Sequence, residues 1–500
     1  MPRILLLRTW TDITAATFTP PLGLMYLAAT IRQHNKDYEV KIFDLNVKKQ
    51  HIHQRIDDIK AFDPDVIGLG SMSYEANTNH KAAAYLKQEL PRVKIVLGGP
   101  YPSASPLRCV RDPNIDFAVL GEGEETFNEL LDRIFSGGTD FRDIKAISFK
   151  YQDEPIETVH REYRFDLDNM PFPAWDLIEM EEYFKVHRFH YIHVEKRYMP
   201  IYTSRACPYQ CTYCHDIFGK TFRARSAQNV FEEIKTLNSK YGIKEFQFFD
   251  DIFNIRTDRA IAVMDLIIQS GLKVYLSFPN GLRGDIMTDE LILKMKKAGT
   301  YKIAYAIESA TPRIQKLIKK HVKLDRLKQV IEKTDKAGIL CHGFFMMGFP
   351  TETREEVMNT VNYALDSRLH FGGFYFLDPF EGTEIADWAL KMRPDLMEKQ
   401  NHSYFSADRQ LSEVPTPELE KMQRDLYRNF YFNPKRIIRM LWRLPKKTQA
   451  FSLIKLWFQM AFESFRYSAK PAVVPSVDRP PADSEIVAGS EQQPAVELAA

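Results

Sequence analysis

The segment Ser204-Arg-Ala-Cys207-Pro-Tyr-Gln-Cys211-Thr-Tyr-Cys214-His215 holds three of the five cysteines in a chain of 500 residues. A C-x-x-x-C-x-x-C spacing would arise by chance in roughly one in two thousand chains of this cysteine content, so it is read as built. Three thiolates cannot by themselves close a tetrahedral zinc shell, and no fourth cysteine follows nearby. They can hold three irons of a 4Fe–4S cluster through soft thiolate bonds and leave the fourth iron open to a substrate or cosubstrate. A zinc site completed by His215 and a set of buried core cysteines stand as the alternatives.

Composition sets the frame for that motif. Five hundred residues suffice for two or three domains with real cores. A net charge of +2 gives no reason to expect a nucleic-acid partner. No apolar run approaches the ~20 residues of a membrane-spanning helix. The opening Met1-Pro-Arg-Ile-Leu-Leu-Leu-Arg8 is too short for a signal peptide and reads as a buried first strand. Few cysteines together with a thiolate cluster indicate the reducing cytoplasm, and an open iron indicates low oxygen.

Over residues 3–137 short apolar runs at 4–7, 40–43, 66–69, 94–97 and 117–120 alternate with helical patterns. This order predicts a parallel, doubly wound, Rossmann-like sheet that binds its ligand beyond the strand ends. Three of those ends lack bulky side chains: Ser71-Met-Ser73, Gly98-Gly99-Pro100 and Gly121-Glu122-Gly123-Glu124. With Pro20-Pro-Leu-Gly-Leu24 after the first strand, they resemble the cobalamin (B12) binding domain that precedes many radical S-adenosylmethionine (SAM) cores. The resemblance implies cobalamin contacts from Ser71, Ser73, Gly98, Gly99, Gly121, Glu122 and Gly123. Many such domains place a cobalt-ligating histidine after strand one. Residues 9–19 here contain none, and His80 reads as a surface residue.

From residue 198 a second βα alternation begins, with strands expected at 199–203, 245–249, 273–278, 302–307, 340–346 and 373–377. Six units predict a partial (β/α)6 barrel with its functional groups at the carboxyl ends of the strands. Together with the cysteine loop, this resembles the radical SAM family, specifically its cobalamin-dependent class B. The resemblance implies a 4Fe–4S cluster on Cys207, Cys211 and Cys214. It also implies SAM contacts from Tyr213, Asp251, Asn280, Arg283, Glu308, Ser309 and Gly348, with Arg223 and Arg225 neutralising the SAM carboxylate. Cys109 and Cys341 read as small buried hydrophobes.

The expected organisation is a cobalamin-binding domain at 1–140, a connector at 141–195, and the radical SAM core at 196–400. C-terminal helices follow at 401–470 and a disordered tail at 471–500. Thr416 is expected to cap one helix. The basic, aromatic stretches at 435–444 and 451–465 either pack on the barrel or lie on an anionic inner membrane face. By resemblance the chain is a radical SAM enzyme. The implied reaction is methyl transfer to an unactivated carbon of a large apolar molecule or lipid, or a non-methylating reaction such as oxidative cyclisation. An electron donor such as flavodoxin or ferredoxin is implied as well.

Overall fold

A computed structural model describes residues 1–10, 19–185, 192–397 and 404–450. The histidine-free loop at 11–18, the end of the connector at 186–191, the helix expected at 451–465 and the tail at 471–500 lie outside the described residues.

Strands β1 (Arg3–Arg8), β2 (Glu39–Asp44), β3 (Val66–Gly70), β4 (Lys94–Gly98) and β5 (Phe117–Val119) pair in parallel in the order β2-β1-β3-β4-β5. β1 shows why this sheet is covered on both faces. Ile4 and Leu6 enter one core with Met25, Ile31 and Leu130, while Leu5 and Leu7 enter another with Ile59, Ala83 and Leu86. The strand order turns back at β1, the topological switch where such sheets bind ligands.

The hairpin β6 (Ile147–Tyr151) and β7 (Glu154–Glu157) corrects the expected domain boundary. It pairs antiparallel with β5 and extends the first sheet rather than belonging to a connector. Phe117, Phe141 and Phe149 pack ring to ring across that join. The connector is therefore the stretch after 160, which straps the first sheet to the second. Asp168 accepts from the Ser226 N–H, Tyr183 donates to Asp44 at 2.7 Å, and Trp175 Nε1 donates to Glu233.

The second sheet holds β8 (Tyr198–Ile201), β11 (Glu245–Phe248), β12 (Tyr275–Leu282), β13 (Thr300–Glu308), β14 (Leu340–Met347) and β15 (Phe371–Phe376) in sequential parallel order. A two-stranded clasp of β9 (Ser204–Arg205) and β10 (Arg223–Ala224) sits beside it. Phe246, Leu276, Ile303, Phe345 and Phe374 turn outward into the core shared with the helices. The alternate residues line the lumen of a partial barrel.

The C-terminal helices pack on this barrel. Thr416 is the first residue of helix Thr416–Tyr431 rather than its cap; Pro415 precedes it and no side chain caps the helix. In helix Pro434–Arg443 the arginines turn inward. Arg436 donates to the carbonyls of Leu369, Ala364 and Leu365. Trp442, 76% exposed, and Ile438, 67% exposed, face outward. Among the described residues no helix is long and apolar enough to cross a membrane.

Arg439 and Arg443 instead approach Asp335, which is fully buried and also meets Arg368 at 2.5 Å and His370 at 3.3 Å. Burial pushes the Asp335 pKa up, but hydrogen bonds and charge from His370, Arg368 and Arg443 hold it below the usual carboxylate range. Asp335→Ala leaves these cations without a counter-charge and is expected to cost about 3 kcal/mol. The cost is read as a lower urea midpoint at unchanged slope. Because the folded pKa is depressed, this contribution is complete above the unfolded value of ~3.9 and is lost as pH falls through that range and below it. A wild-type midpoint at pH 7 would contradict the role given to Asp335.

Candidate active site

The cysteine loop is fixed at its root by the strand end beside it. Asp250, buried just after β11, accepts from the Thr203 N–H at 2.6 Å, the Thr203 hydroxyl at 2.8 Å and the Ser204 N–H at 2.6 Å. Arg259 adds donations to the carbonyls of Thr203 and Arg225. The clasp β9–β10 closes the loop from Arg205 to Arg223. Cys207 and Cys211 are half-buried on this loop and Cys214 is exposed; all three are free thiols. Desolvation by the surrounding loop, and then the proximity of Cys211, push the Cys214 thiol up to about 12, so this sulphur needs a cation to become a thiolate. Among the described residues no three His, Cys, Asp or Glu side chains converge tightly on one point. A four-iron cluster asks for one thiolate at each of three corners, which this donor set fits.

Beside the loop stands a trio from three elements. Glu308 ends β13 in the left-handed region at φ 66°. The Lys320 ammonium lies 3.3 Å from its carboxylate and 3.2 Å from the Tyr213 hydroxyl. Burial works against the Lys320 charge, but Glu308 and the nearby Cys211 and Cys214 outweigh it and raise its pKa. The Tyr213 ring packs on Phe349, 6.1 Å between centroids. Phe349 in turn sits in the Gly348 turn, where the N–H groups of Gly348 and Phe349 both donate to buried Glu352. Asp251 is half-buried; burial raises its pKa, His215 opposes the rise, and the neighbouring Asp250 carboxylate adds to it. Asn280 is exposed at the end of β12 and donates to the Phe249 carbonyl at 2.7 Å.

Several sequence-based assignments take other roles. The Arg223 guanidinium, 1% exposed, is held by Glu122 at 2.7 Å and by the carbonyls of Arg164 and Phe218. Arg225 is committed to Glu233, Asn229 and the Tyr202 carbonyl. Arg283 stacks on Tyr209 at 3.8 Å and donates to Asp285 and to the carbonyls of Lys320 and His321. It therefore braces the cysteine loop against the turn that carries Lys320. The Ser309 hydroxyl is buried against Thr360. Glu122 joins Arg205 and Arg223 rather than facing a ligand. His80 is half-buried, and its ring nitrogens meet Asp112 at 2.6 Å and the Tyr101 hydroxyl at 2.9 Å. Cys109 and Cys341 are fully buried. Lys320 escaped the sequence reading because Lys319-Lys320-His321 looks like a solvated turn. The signal was its place twelve positions after Glu308, across a short helix (Pro312–Leu317) that returns the chain to the strand end.

On the first sheet the loops at the carboxyl ends of β3, β4 and β5 form one cradle. The Ser71 N–H donates to the Gly98 carbonyl, and the Ser71 carbonyl accepts from the Tyr101 N–H. Gly99 has φ 104°, and a Cβ there would stand 2.8 Å from the Ser71 carbonyl oxygen. A Cβ on Gly98 meets nothing within 4 Å. Ser73 opens a short turn, Ser73–Glu75. Ser103, unmarked by the sequence, accepts from the Gly121 N–H and donates to the Gly99 carbonyl. A Cβ on Gly121 would lie 3.8 Å from the Ile217 carbonyl, three residues past Cys214. Gly123 packs its helix close to Val119 and Leu27. An open glycine flanked by hydroxyls and backbone amides fits the edge of a large planar cofactor such as cobalamin.

The B12 binding domain family matches residues 11–131, and the radical SAM superfamily matches residues 201–364. An uncharacterized methyltransferase of Pyrococcus horikoshii is 32% identical over 433 residues, covering 85% of this chain and 90% of the relative. The chain belongs to the cobalamin-dependent radical SAM family. Cytidylyl-2-hydroxyethylphosphonate methyltransferase of Streptomyces wedmorensis is 29% identical over 75% of this chain and 78% of its own length. The fold is also that of the radical SAM methyltransferase TsrM from Kitasatospora setae, solved with cobalamin and a [4Fe-4S] cluster. It has a TM-score of 0.64 at 17% identity and covers 79% of this chain and 76% of that one.

Within this cradle the two adjacent glycines should respond differently to substitution. Gly98→Leu is expected to leave the thermal midpoint near wild type while abolishing retention of cobalamin absorbance after gel filtration. Gly99→Ala is expected to lower the midpoint itself, because its backbone and Ser71 leave no room for a Cβ. Full cobalamin retention by Gly98→Leu would contradict the cradle.

Proposed function

We propose that this cobalamin-dependent radical SAM enzyme transfers a methyl group to an unactivated carbon of a small molecule with a largely apolar body. When bound, the cluster and SAM supply a 5′-deoxyadenosyl radical for hydrogen abstraction, and the cobalamin carries the methyl group. The reading rests on the approach of Gly121 at the cradle to Ile217 in the cysteine loop: a Cβ on Gly121 would lie 3.8 Å from the Ile217 carbonyl, so the segments that would hold the two cofactors adjoin.

The chain's own residues prepare that meeting. Cys207, Cys211 and Cys214 hold three irons. Lys320 offers the SAM carboxylate a charge-assisted hydrogen bond. Glu308 and Asn280 present free acceptor capacity toward the ribose and the amine, and Tyr213 with the Gly348 turn forms an apolar wall for adenine. Asp251 flanks the loop as a further acceptor. Aromatic side chains on the lumen face, Phe249, Phe344 and Tyr375, give the substrate an apolar channel. Trp175 and Tyr183 of the connector do not serve this purpose, since both are taken up in packing. Reduction of the cluster calls for an external one-electron donor of the flavodoxin or ferredoxin kind. Membrane contact has no part in this reading, because the arginines of helix Pro434–Arg443 face the barrel.

Anaerobically reconstituted protein, reduced and incubated with methyl-labelled SAM and a cell extract, is expected to place label in a small-molecule product. Formation of 5′-deoxyadenosine without labelled product would replace methyl transfer by another radical reaction. Lys320→Ala is expected to weaken SAM binding at least tenfold by equilibrium dialysis, as loss of about 1.5–3 kcal/mol from a charged hydrogen bond requires. Unchanged SAM affinity would remove Lys320 from the site.

A further inference from the structure

Deep in the barrel stands a second group of polar side chains with no role so far. Register sets Gln247 of β11 beside Ser277 of β12, and Ser277 beside Lys302 of β13. The three therefore share one face in a single row about 4.8 Å apart. The opposite face, through Phe246, Leu276 and Ile303, packs against the helices, so the row points into the lumen. His342 of β14 stands one step higher on the same face, paired with Ala304. Gln247, Ser277 and Lys302 are buried, as is Thr300 at the foot of β13. Among the described residues Gln247 Nε2, Ser277 Oγ and Thr300 Oγ1 have no hydrogen-bond partner. The Lys302 ammonium makes no ion pair there either. Glu245, the carboxylate whose field reaches it, is committed to the Val194 and Glu195 N–H groups and the Tyr301 hydroxyl.

Buried polar groups without partners cost folding energy, and a row of them is a feature that packing alone does not favour. Above this row the lumen face is not fully covered. Phe249, Phe344 and Tyr375 on the lumen face are only half-buried, while Ile303, Phe345 and Phe374 on the helix face are fully covered. Burial pushes Lys302 down to about 8, and burial with the Lys302 charge pushes His342 down to about 3. The floor thus holds one cation beside a neutral imidazole.

We propose that Gln247, Ser277 and Lys302, with His342 above them, form the anchoring floor of the substrate site and bind an oxyanion at the substrate's remote end. A lysine ammonium, an amide N–H2 and a hydroxyl are all donors, so the complement is an acceptor-rich group: a carboxylate, or a phosphoryl or phosphonyl oxygen set. An aromatic channel over a single-cation floor selects a molecule with an apolar body and one anionic end. This rests on the barrel's being the substrate site of the radical reaction, and it adds the chemical class that the site selects.

Matched probe pairs test it on the reconstituted full-length protein: phenylacetate against phenylacetamide, and phenylphosphonate against benzyl alcohol. Equilibrium dialysis is expected to show saturable binding of at least one anion and at least tenfold weaker binding of its neutral partner. Lys302→Met should weaken that anion at least tenfold, and Ser277→Ala, a substitution that only removes an unpartnered hydroxyl, about threefold. Circular dichroism would establish that both variants are folded. Saturation by neither anion, equal binding of the neutral partner, or wild-type affinity in both variants would overturn the floor. The parent reading fails separately, by absence of 5′-deoxyadenosine from wild-type protein given SAM and reductant.

Discussion

Two carboxylates from the end of the first sheet, Glu122 and Glu124, meet two guanidiniums from the clasp of the cysteine loop, Arg205 and Arg223. The contacts run from 2.5 to 3.3 Å, and all four side chains are nearly enclosed. Arg205 outweighs burial and holds the Glu124 carboxylate below its ordinary range. Desolvation consumes most of the Coulombic gain of such a cluster, so its contribution lies in register more than in net stability. It allows one arrangement of the two sheets. Every cofactor contact argued above depends on that arrangement, because the cobalamin cradle and the cluster loop are built on different sheets.

The same cluster explains which residues misled the sequence reading. The three cysteines, the glycine-rich strand ends and the strand order were legible because each depends on neighbours close along the chain. Arg223 and Glu122 are 101 positions apart, and nothing local in either segment announces the partner. Arginines beside a presumed anion site are naturally assigned to the anion. Here Arg223 and Arg225 are consumed by Glu122 and Glu233, while Lys320 faces the cysteine loop at Tyr213. The hairpin β6–β7 lies in a stretch read as connector, since antiparallel extension of a parallel sheet leaves no periodic signature.

Helix Pro434–Arg443 shows the limit of amphipathic reasoning. A basic stripe with aromatic residues suggests charges toward water or lipid and apolar groups toward the core. The barrel's lower rim instead offers carbonyls at 364–369 and the buried Asp335, so the arginines go inward and Trp442 and Ile438 are left outside. Pattern specifies two unlike faces. Only the partner surface decides which face is buried.

Held by Glu122, Glu124, Arg205 and Arg223, the cradle and the cysteine loop would bring a bound cobalamin and a bound iron–sulphur cluster within direct reach of each other. Electron paramagnetic resonance of protein carrying both cob(II)alamin and the reduced cluster tests it most directly. Mutual broadening and faster relaxation of the two signals, absent when either cofactor is loaded alone, is the predicted result. A spectrum equal to the simple superposition of the two singly loaded proteins would contradict it.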